Sequence, residues 1–282
     1  MPVRKPAVSG QFYPSDPTEL SRLIDECYTH GLGPGTLPPA PATDADIVAV
    51  VSPHAGYVYS GPVAAHSYYH VSSLRRPDLA VVVGPNHYGV GSGVATFGEG
   101  EWTTPLGRML VDSEAAAELV ALAGVVSMDP EAHRLEHSIE VQLPFLQRIY
   151  GGAVPLLPIS LIFQDLDTAE AVSSALSKLL RGKRAILVAS SDLTHYELPA
   201  AAREKDMALL REVLKMDVRG FYSTLEGLNV TACGYGAIAT VMLTARALGL
   251  ARPELLKYAT SGDTSGDNVQ VVGYGALRFV SN

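Results

Sequence analysis

The sequence predicts an α/β fold in three layers, in which helices cover both faces of a largely parallel or mixed sheet. Three aliphatic runs, 47–51, 79–83 and 185–189, have the composition of strands that are buried on both faces. Segments of helical composition alternate with these runs, which is typical of a sheet with helical crossovers. We find no internal repeat and no long linker, so residues 1–282 are predicted to form a single domain.

The other elements follow from local start and stop signals. Asp16-Pro17 predicts the start of a helix that runs to about Thr29, because Asp caps helices and Pro is favoured in their first turn. Asp112-Ser113 predicts another cap, and the segment 31–43, rich in Pro and Gly, predicts a loop. Helices are predicted at 60–71, 114–123, 141–150, 165–180, 200–215 and 235–248, strands at 154–160, 255–260 and 269–279, and irregular structure at 84–110.

Composition and charge exclude several classes of protein. With 18% charged and 47% hydrophobic residues, the 282-residue chain has the composition of a compact globular protein. A formal net charge of -8 argues against non-specific nucleic-acid binding, which requires basic surfaces. No apolar run approaches the roughly 20 residues of a spanning helix, and the segment 1–6 lacks the apolar stretch of a signal peptide. We therefore expect a reducing, cytoplasmic location, with Cys27 and Cys233 as free thiols.

Histidines follow the ends of predicted strands. His54 and His87 each follow one strand, and Asp192 and His195 follow a third. Because the loops past the carboxyl ends of parallel strands line one crevice, we expect these side chains to converge. Imidazoles gathered in this way are typical transition-metal ligands. A structural role would explain His54 alone equally well, but the repetition at a second strand end favours a site.

Asp192 and His195 lie three positions apart, and Cys233 precedes a predicted helix. An adjacent carboxylate can fix an imidazole tautomer and raise its basicity, so this pair is interpreted as a ligand with its supporting group or as a general acid–base pair. A helix dipole lowers the pKa of a thiol at the helix N-terminus, which predicts a thiolate at Cys233 that acts as ligand or nucleophile. The structural alternatives are a capping role for Asp192 and close helix packing at Cys233.

The segment Glu136-His137-Ser138-Ile139-Glu140 is predicted to lead into the helix at 141–150. On a helix, His137 and Glu140 would share a face, and His137 would lie on a pocket wall or relay protons. The alternative is a solvated helix start with Glu136 near the positive end of the dipole. The sequence contains no Gly-x-Ser-x-Gly elbow, His-Glu-x-x-His helix, P-loop or Cys-x-x-Cys pair. It therefore lacks the defining motifs of serine hydrolases, zincins and NTPases.

Five ordered motifs together resemble the Memo family, and the resemblance extends from Val3 to about Leu277. The fold of that family is similar to that of the class III extradiol non-haem iron dioxygenases, so an extradiol-dioxygenase-like fold is implied. Microbial members often occur with a radical-SAM protein and an AMMECR-type domain, which implies a functional link to such proteins. The motifs are Pro53-His54-Ala55-Gly56-Tyr57, Gly84-Pro85-Asn86-His87, Glu136-His137-Ser138-Ile139-Glu140, Ser190-Ser191-Asp192 with His195, and Cys233-Gly234.

The resemblance also implies roles for individual residues. The metal ligands would be His54, His87 and Cys233. His195 would act as the acid–base histidine with support from Asp192, and His137 would lie on the pocket wall. A thiolate replaces the carboxylate ligand of the dioxygenases, which makes the site softer and favours copper or zinc more than an oxygen ligand would. The expected cofactor is iron or copper, with zinc as a further option.

Three functions are consistent with this sequence. The first is a redox enzyme in which iron or copper activates oxygen or a small substrate. The second is a zinc-dependent hydrolase in which His195 acts as the base. The third is a binding module for a peptide or protein, in which tyrosines near the pocket recognise the partner. The tyrosines predicted for that role are Tyr57, Tyr59, Tyr88 and Tyr235.

Overall fold

Helices cover both faces of a mixed, nine-stranded sheet. The structure, a computed structural model, describes residues 1–43 and 45–281. The strands are β1 (Val3–Arg4), β2 (Ile47–Ser52), β3 (Leu79–Pro85), β4 (Val94–Thr96), β5 (Glu101–Thr104), β6 (Gly107–Leu110), β7 (Ser127–Met128), β8 (Leu156–Leu161), β9 (Ala185–Ser190), β10 (His195–Glu197), β11 (Arg252–Thr260) and β12 (Val271–Val280). The helices are α1 (Pro17–Thr29), α2 (Tyr57–Val71), α3 (Ser113–Ala123), α4 (Leu143–Tyr150), α5 (Leu166–Leu179), α6 (Pro199–Leu214), α7 (Val218–Gly227), α8 (Tyr235–Ala247) and α9 (Ser261–Ser265).

The strand order in this sheet is β10-β12-β2-β9-β3-β8-β4-β7, and β11 pairs with β12. The central strands β2, β9, β3 and β8 are parallel, while β12 is antiparallel to β2 and β4 is antiparallel to β8. Ser52 lies opposite Ser190, and Val83 lies opposite Ala189. The loops after β2, β3 and β9 therefore leave the sheet at the same edge.

Both faces of the sheet are packed, which explains the continuous apolar runs in the sequence. Val48 and Val50 contact the layer that contains α1, α2 and α4, whereas Ala49 and Val51 contact the layer that contains α5 and α8. This alternation follows from the two-residue period of a strand. The three-layer α/β fold predicted from the sequence is confirmed.

Several short elements were not predicted. Residues 84–110 form β4, β5 and β6 rather than irregular structure, and β5 and β6 join β1 in a separate three-stranded sheet. Helix α7 follows an Asp217 cap, but glycines at 220 and 227 lower the helix propensity of this segment. Among the described helices, none combines the length and apolar character that a membrane crossing requires.

Glu140 binds the N-terminal segment through an ion pair and hydrogen bonds. Its buried carboxylate pairs with the guanidinium of Arg4 and accepts hydrogen bonds from the backbone N–H of Ala7 at 2.7 Å and of Val8 at 3.1 Å. The hydroxyl of Tyr13 also donates to it. The alternative interpretation of 136–140 as a solvated helix start is therefore wrong: Glu136 and Glu140 are buried, Glu140 opens a 3-10 helix, Glu140–Gln142, and α4 begins only at Leu143.

His133 is a fully buried histidine, and we expect it to make the stability of the protein depend on pH. Its ring lies 5.5 Å from the ring of Trp102 and 6.0 Å from that of Phe97. Burial, together with the charge of Arg4, lowers the pKa of His133 from 6.5 to about 3. Between these two pH values the unfolded chain binds a proton at His133 and the folded chain does not, so stability falls as the pH falls.

We expect His133→Phe to reduce this loss of stability. The histidine costs the wild-type protein about 1.4 kcal/mol for each pH unit below 6.5, or about 2 kcal/mol between pH 6.5 and pH 5. Urea unfolding at pH 7 and pH 5 measures the difference, with the exposed His30→Gln as the control. An equal pH dependence in wild type and His133→Phe would show that His133 contributes nothing.

Candidate metal centre

Three potential metal ligands meet at the carboxyl edge of the sheet. His54 follows β2, His87 follows β3, and Cys233 lies just before α8. One ligand atom from each of these residues lies within 4.8 Å of the other two. The Nε2 atom of His54 and the Sγ atom of Cys233 are 3.2 Å apart. The structure thus brings together the three residues that the sequence proposed as ligands.

Glu136 orients His87. One carboxylate oxygen lies 2.9 Å from Nδ1 of His87, and the other accepts the backbone N–H of the same residue. Ser138 donates its backbone N–H to Glu136 at 2.7 Å. Since an ionised carboxylate only accepts hydrogen bonds, Nδ1 of His87 carries a proton, and in the neutral ring the lone pair is on Nε2. A carboxylate behind a histidine is a common support for a metal ligand.

Burial alone would raise the pKa of Glu136, but the hydrogen bonds and positive charge from His87 and the N–H of Ser138 lower it to about 2. The carboxylate is therefore ionised although it is fully buried. No role was predicted for Glu136, because a glutamate beside a predicted helix start is usually solvated. Its position within the Glu136–Glu140 motif was the one signal available.

The environment of Cys233 differs from the prediction. Helix α8 begins at Tyr235 with Gly234 as its cap, so Cys233 lies outside the helix. Burial raises the pKa of the thiol, and the nearby Asp192 carboxylate raises it further. The predicted lowering of this pKa is wrong for the metal-free protein, because loss of hydration outweighs the helix dipole. A bound cation reverses this balance, since a coordinating thiol is deprotonated.

Asp192 and His195 do not form the hydrogen-bonded pair that their spacing suggested. Asp192 is buried and accepts the backbone N–H of His54 at 2.8 Å. His195 instead directs Nδ1 to the carbonyl oxygen of Thr231 at 2.9 Å. Because a carbonyl only accepts, Nδ1 of His195 carries a proton, and in the neutral ring Nε2 is the acceptor nitrogen. Thr231, rather than Asp192, therefore fixes the tautomer of His195.

His137 lies beside both candidate ligand histidines. Its ring stacks on that of His87 at 4.6 Å and meets that of His54 edge-on at 5.5 Å. Phe12 covers another side of the ring at 4.8 Å. Burial, with the positive charge of its neighbours, lowers the pKa of His137 to about 4 despite the nearby carboxylates. The imidazole is therefore neutral at physiological pH and lies on the wall of the adjoining cavity.

A cavity of about 680 Å³ adjoins this group. His54, His87, His137, Asp192 and His195 all line it. Of the tyrosines predicted near the pocket, Tyr59 lines the cavity, whereas Tyr57 is 1% exposed and donates its hydroxyl to the carbonyl oxygen of Val141. Tyr88 and Tyr235 are not among the lining residues. The aromatic residues that line it are Phe12, Tyr59, Tyr196 and Tyr274.

The donor set fits a transition metal. Two imidazole nitrogens and one thiol sulfur are ligands for iron, copper and zinc, and the three residues lie in the loops after β2 and β3 and just before α8. His87 is supported by a carboxylate, as metal-binding histidines usually are. A hard cation such as magnesium, which prefers oxygen ligands, does not fit.

Fold and site together define an α/β protein with a His, His, Cys group at the carboxyl edge of its sheet. Residues 4–278 match the family model described as Memo-like protein, and the chain belongs to that family. A MEMO1 family protein of Nitrosopumilus maritimus is 47% identical over 278 residues, covering 99% of this chain and 100% of the relative. One from Methanopyrus kandleri is 46% identical over 278 residues, covering 98% of each chain. The family predicted from the motifs is confirmed.

A solved structure is similar in fold. An uncharacterized protein of Escherichia coli K12 has a TM-score of 0.56 and 14% sequence identity, over 82% of this chain and 99% of that chain. At this level of identity the likeness concerns the fold alone.

Proposed function

We propose that this protein is a metal-dependent redox enzyme that binds iron or copper through His54, His87 and Cys233. The observation that carries the proposal is the convergence of two imidazoles and a thiol within 4.8 Å beside a cavity of about 680 Å³. Iron or copper in such a site would pass electrons from a small substrate to dioxygen. The cavity has the size of known small-molecule sites, which are about 300–1,000 Å³.

The protein's own residues would orient the substrate and move protons. His195 keeps Nε2 free as an acceptor, so it would take a proton from a substrate hydroxyl or amine as electrons leave the substrate. Phe12, Tyr59 and Tyr274 would hold the substrate and exclude water from it. No Lys or Arg lines the described cavity, which supports a substrate without a phosphate group.

Zinc hydrolysis is the second candidate function. Three protein ligands with an open position are also the arrangement of many catalytic zinc sites, and His195 would then act as the base for a bound water. A peptide or protein ligand is the third, supported by the exposed side chains of Val58, Tyr59 and Tyr196 at the cavity. A cytoplasmic location and a functional link to radical-SAM and AMMECR-type proteins belong to the same proposal.

Metal binding tests the proposal directly. We expect protein loaded anaerobically with Fe(II) or Cu(I) and desalted to retain about one metal ion per chain. Cys233→Ala and His87→Ala should weaken binding by more than the roughly 10–100-fold that supporting residues contribute. Cys27→Ala is the matched control, because Cys27 is a buried free thiol in the α1 layer, outside the candidate site.

The outcomes of this experiment separate the candidate functions. Iron or copper retention that depends on Cys233 directs substrate screening toward oxidation. Retention of zinc alone favours hydrolysis. If Cys233→Ala retains as much metal as wild type, these residues do not form the site. A protein that stays empty with every metal but binds a peptide in the cavity favours the binding module.

A further inference from the structure

Ser190 is the centre of a buried hydrogen-bond network behind His54. Its hydroxyl oxygen lies 2.6 Å from the carbonyl oxygen of Ser138, 2.8 Å from the side-chain nitrogen of Gln142 and 2.9 Å from Nδ1 of His54. A hydroxyl has one proton to donate and two lone pairs that accept. Because a carbonyl oxygen only accepts, the single proton of Ser190 points to Ser138.

The orientation of Gln142 follows from its other neighbours. Its side-chain nitrogen lies 3.0 Å from the carbonyl oxygen of Pro53, and its side-chain oxygen accepts the hydroxyl of Tyr68 at 2.8 Å. Only the NH₂ group can face the carbonyl of Pro53, so this end of the amide also faces Ser190. Gln142 therefore donates one hydrogen to Pro53 and the other to Ser190.

One lone pair of Ser190 then remains for His54. We propose that Ser138, Gln142 and Ser190 are positioning residues that hold His54 in the Nδ1–H tautomer, with the lone pair of Nε2 directed at Cys233. In the opposite tautomer, either Nδ1 and the Ser190 oxygen would face each other as two buried acceptors without a proton between them, or Ser190 would turn its proton to Nδ1 and leave the carbonyl oxygen of Ser138 without its donor. Both arrangements leave a buried polar group unsatisfied and are disfavoured.

The tautomer has a direct consequence for the site. Nε2 of His54 lies 3.2 Å from Sγ of Cys233, and with an unprotonated Nε2 the thiol donates its own hydrogen to the imidazole. A ligand nitrogen must be unprotonated, so the network prepares Nε2 for coordination before any metal arrives. Only this consequence rests on the proposed function, because the tautomer is a property of the metal-free protein.

Nitrogen-15 NMR of metal-free, histidine-labelled protein tests the proposal. The shifts and couplings of an imidazole distinguish protonated from unprotonated ring nitrogens, and His54→Gln assigns the signals. We expect wild-type His54 to be protonated at Nδ1 and unprotonated at Nε2. An Nε2–H tautomer in the folded wild-type protein would overturn the proposal, whatever its variants do.

Ser190→Ala removes the acceptor for Nδ1, and we expect at least about a tenfold shift of the His54 population toward the Nε2–H tautomer. Ser52→Ala is the matched control. Ser52 ends the neighbouring strand, lies opposite Ser190 and is equally buried, but within residues 1–43 and 45–281 its hydroxyl donates only to the carbonyl oxygen of Pro53. If folded Ser190→Ala keeps the wild-type tautomer of His54, the hydrogen-bond network does not determine that tautomer.

Cobalt(II) binding provides the second readout. Ser190→Ala should weaken cobalt binding by roughly 10–100-fold relative to Ser52→Ala, as for other residues that support a ligand histidine. If neither protein binds cobalt but His54 has the expected tautomer, the result contradicts the proposed metal function and supports the proposal that the network positions His54. If cobalt binds equally to Ser190→Ala and Ser52→Ala and the tautomer of His54 is the same in both, the proposal that Ser190 positions His54 is wrong, while the proposed metal function is unaffected.

Discussion

Glu140→Leu is expected to lower the free energy of unfolding by about 3–5 kcal/mol, the cost of removing one partner from a buried ion pair. Arg4 would remain buried with its positive charge uncompensated, although it also donates to the carbonyl oxygens of His133 and Glu136. The N–H groups of Ala7 and Val8 would lose their acceptor at the same time. Urea or thermal unfolding monitored by circular dichroism measures this loss.

Two comparisons make the test specific. Glu131→Leu removes an ion pair between exposed side chains, that of Glu131 with Arg134, and should change stability by about 0–1 kcal/mol. Adding Arg4→Met to Glu140→Leu should recover part of the loss, because the unpaired charge is removed. A loss below about 1 kcal/mol in Glu140→Leu would mean that water or another group replaces the carboxylate.

Glu136→Gln is expected to weaken metal binding by roughly 10–100-fold, with little change in the fold. The amide is almost the same size as the carboxylate but is neutral, and it has one acceptor oxygen instead of two. It cannot accept both the backbone N–H and the Nδ1–H of His87 as the carboxylate does. His87 would then lose the charge that fixes its tautomer and raises the basicity of Nε2.

Competition with a chromogenic chelator measures this affinity for cobalt or zinc. Glu131→Gln, an exposed glutamate five positions earlier, is the matched control and should bind metal as wild type does. Equal metal affinities of Glu136→Gln and Glu131→Gln would show that Glu136 does not support metal binding. Weaker binding together with a large loss of stability would indicate general damage instead, so unfolding is measured in parallel.

The layered fold and the meeting of the two candidate ligand histidines were predictable because both histidines follow strand ends. The runs 47–51, 79–83 and 185–189 are apolar on both faces, and this pattern identifies central strands without any knowledge of their partners. Once these strands are parallel, the loops with His54 and His87 must leave at one edge.

The electrostatics of the site were not predictable in the same way. The pKa of Cys233 depends on burial by distant segments, and helix position alone gave the wrong sign. Glu136 and Glu140 are fully buried in a segment whose composition suggested solvent exposure. Their partners, His87 and Arg4, lie 49 and 136 positions away in the chain, so no local pattern reveals the pairing.

The place of β12 in the sheet has a consequence for how the protein is made. This strand lies between β2 and β10 and is synthesised after all three candidate ligands. It supplies Val272 and Tyr274 to the cavity, and the backbone of Gly273 holds that of Leu193 and Thr194 in the loop before His195. A chain emerging from the ribosome thus contains the three candidate ligands before it contains the strand that closes the cavity. The cavity can be complete only after β12 has been synthesised, so a metal ion that met the chain earlier would find an open sheet edge.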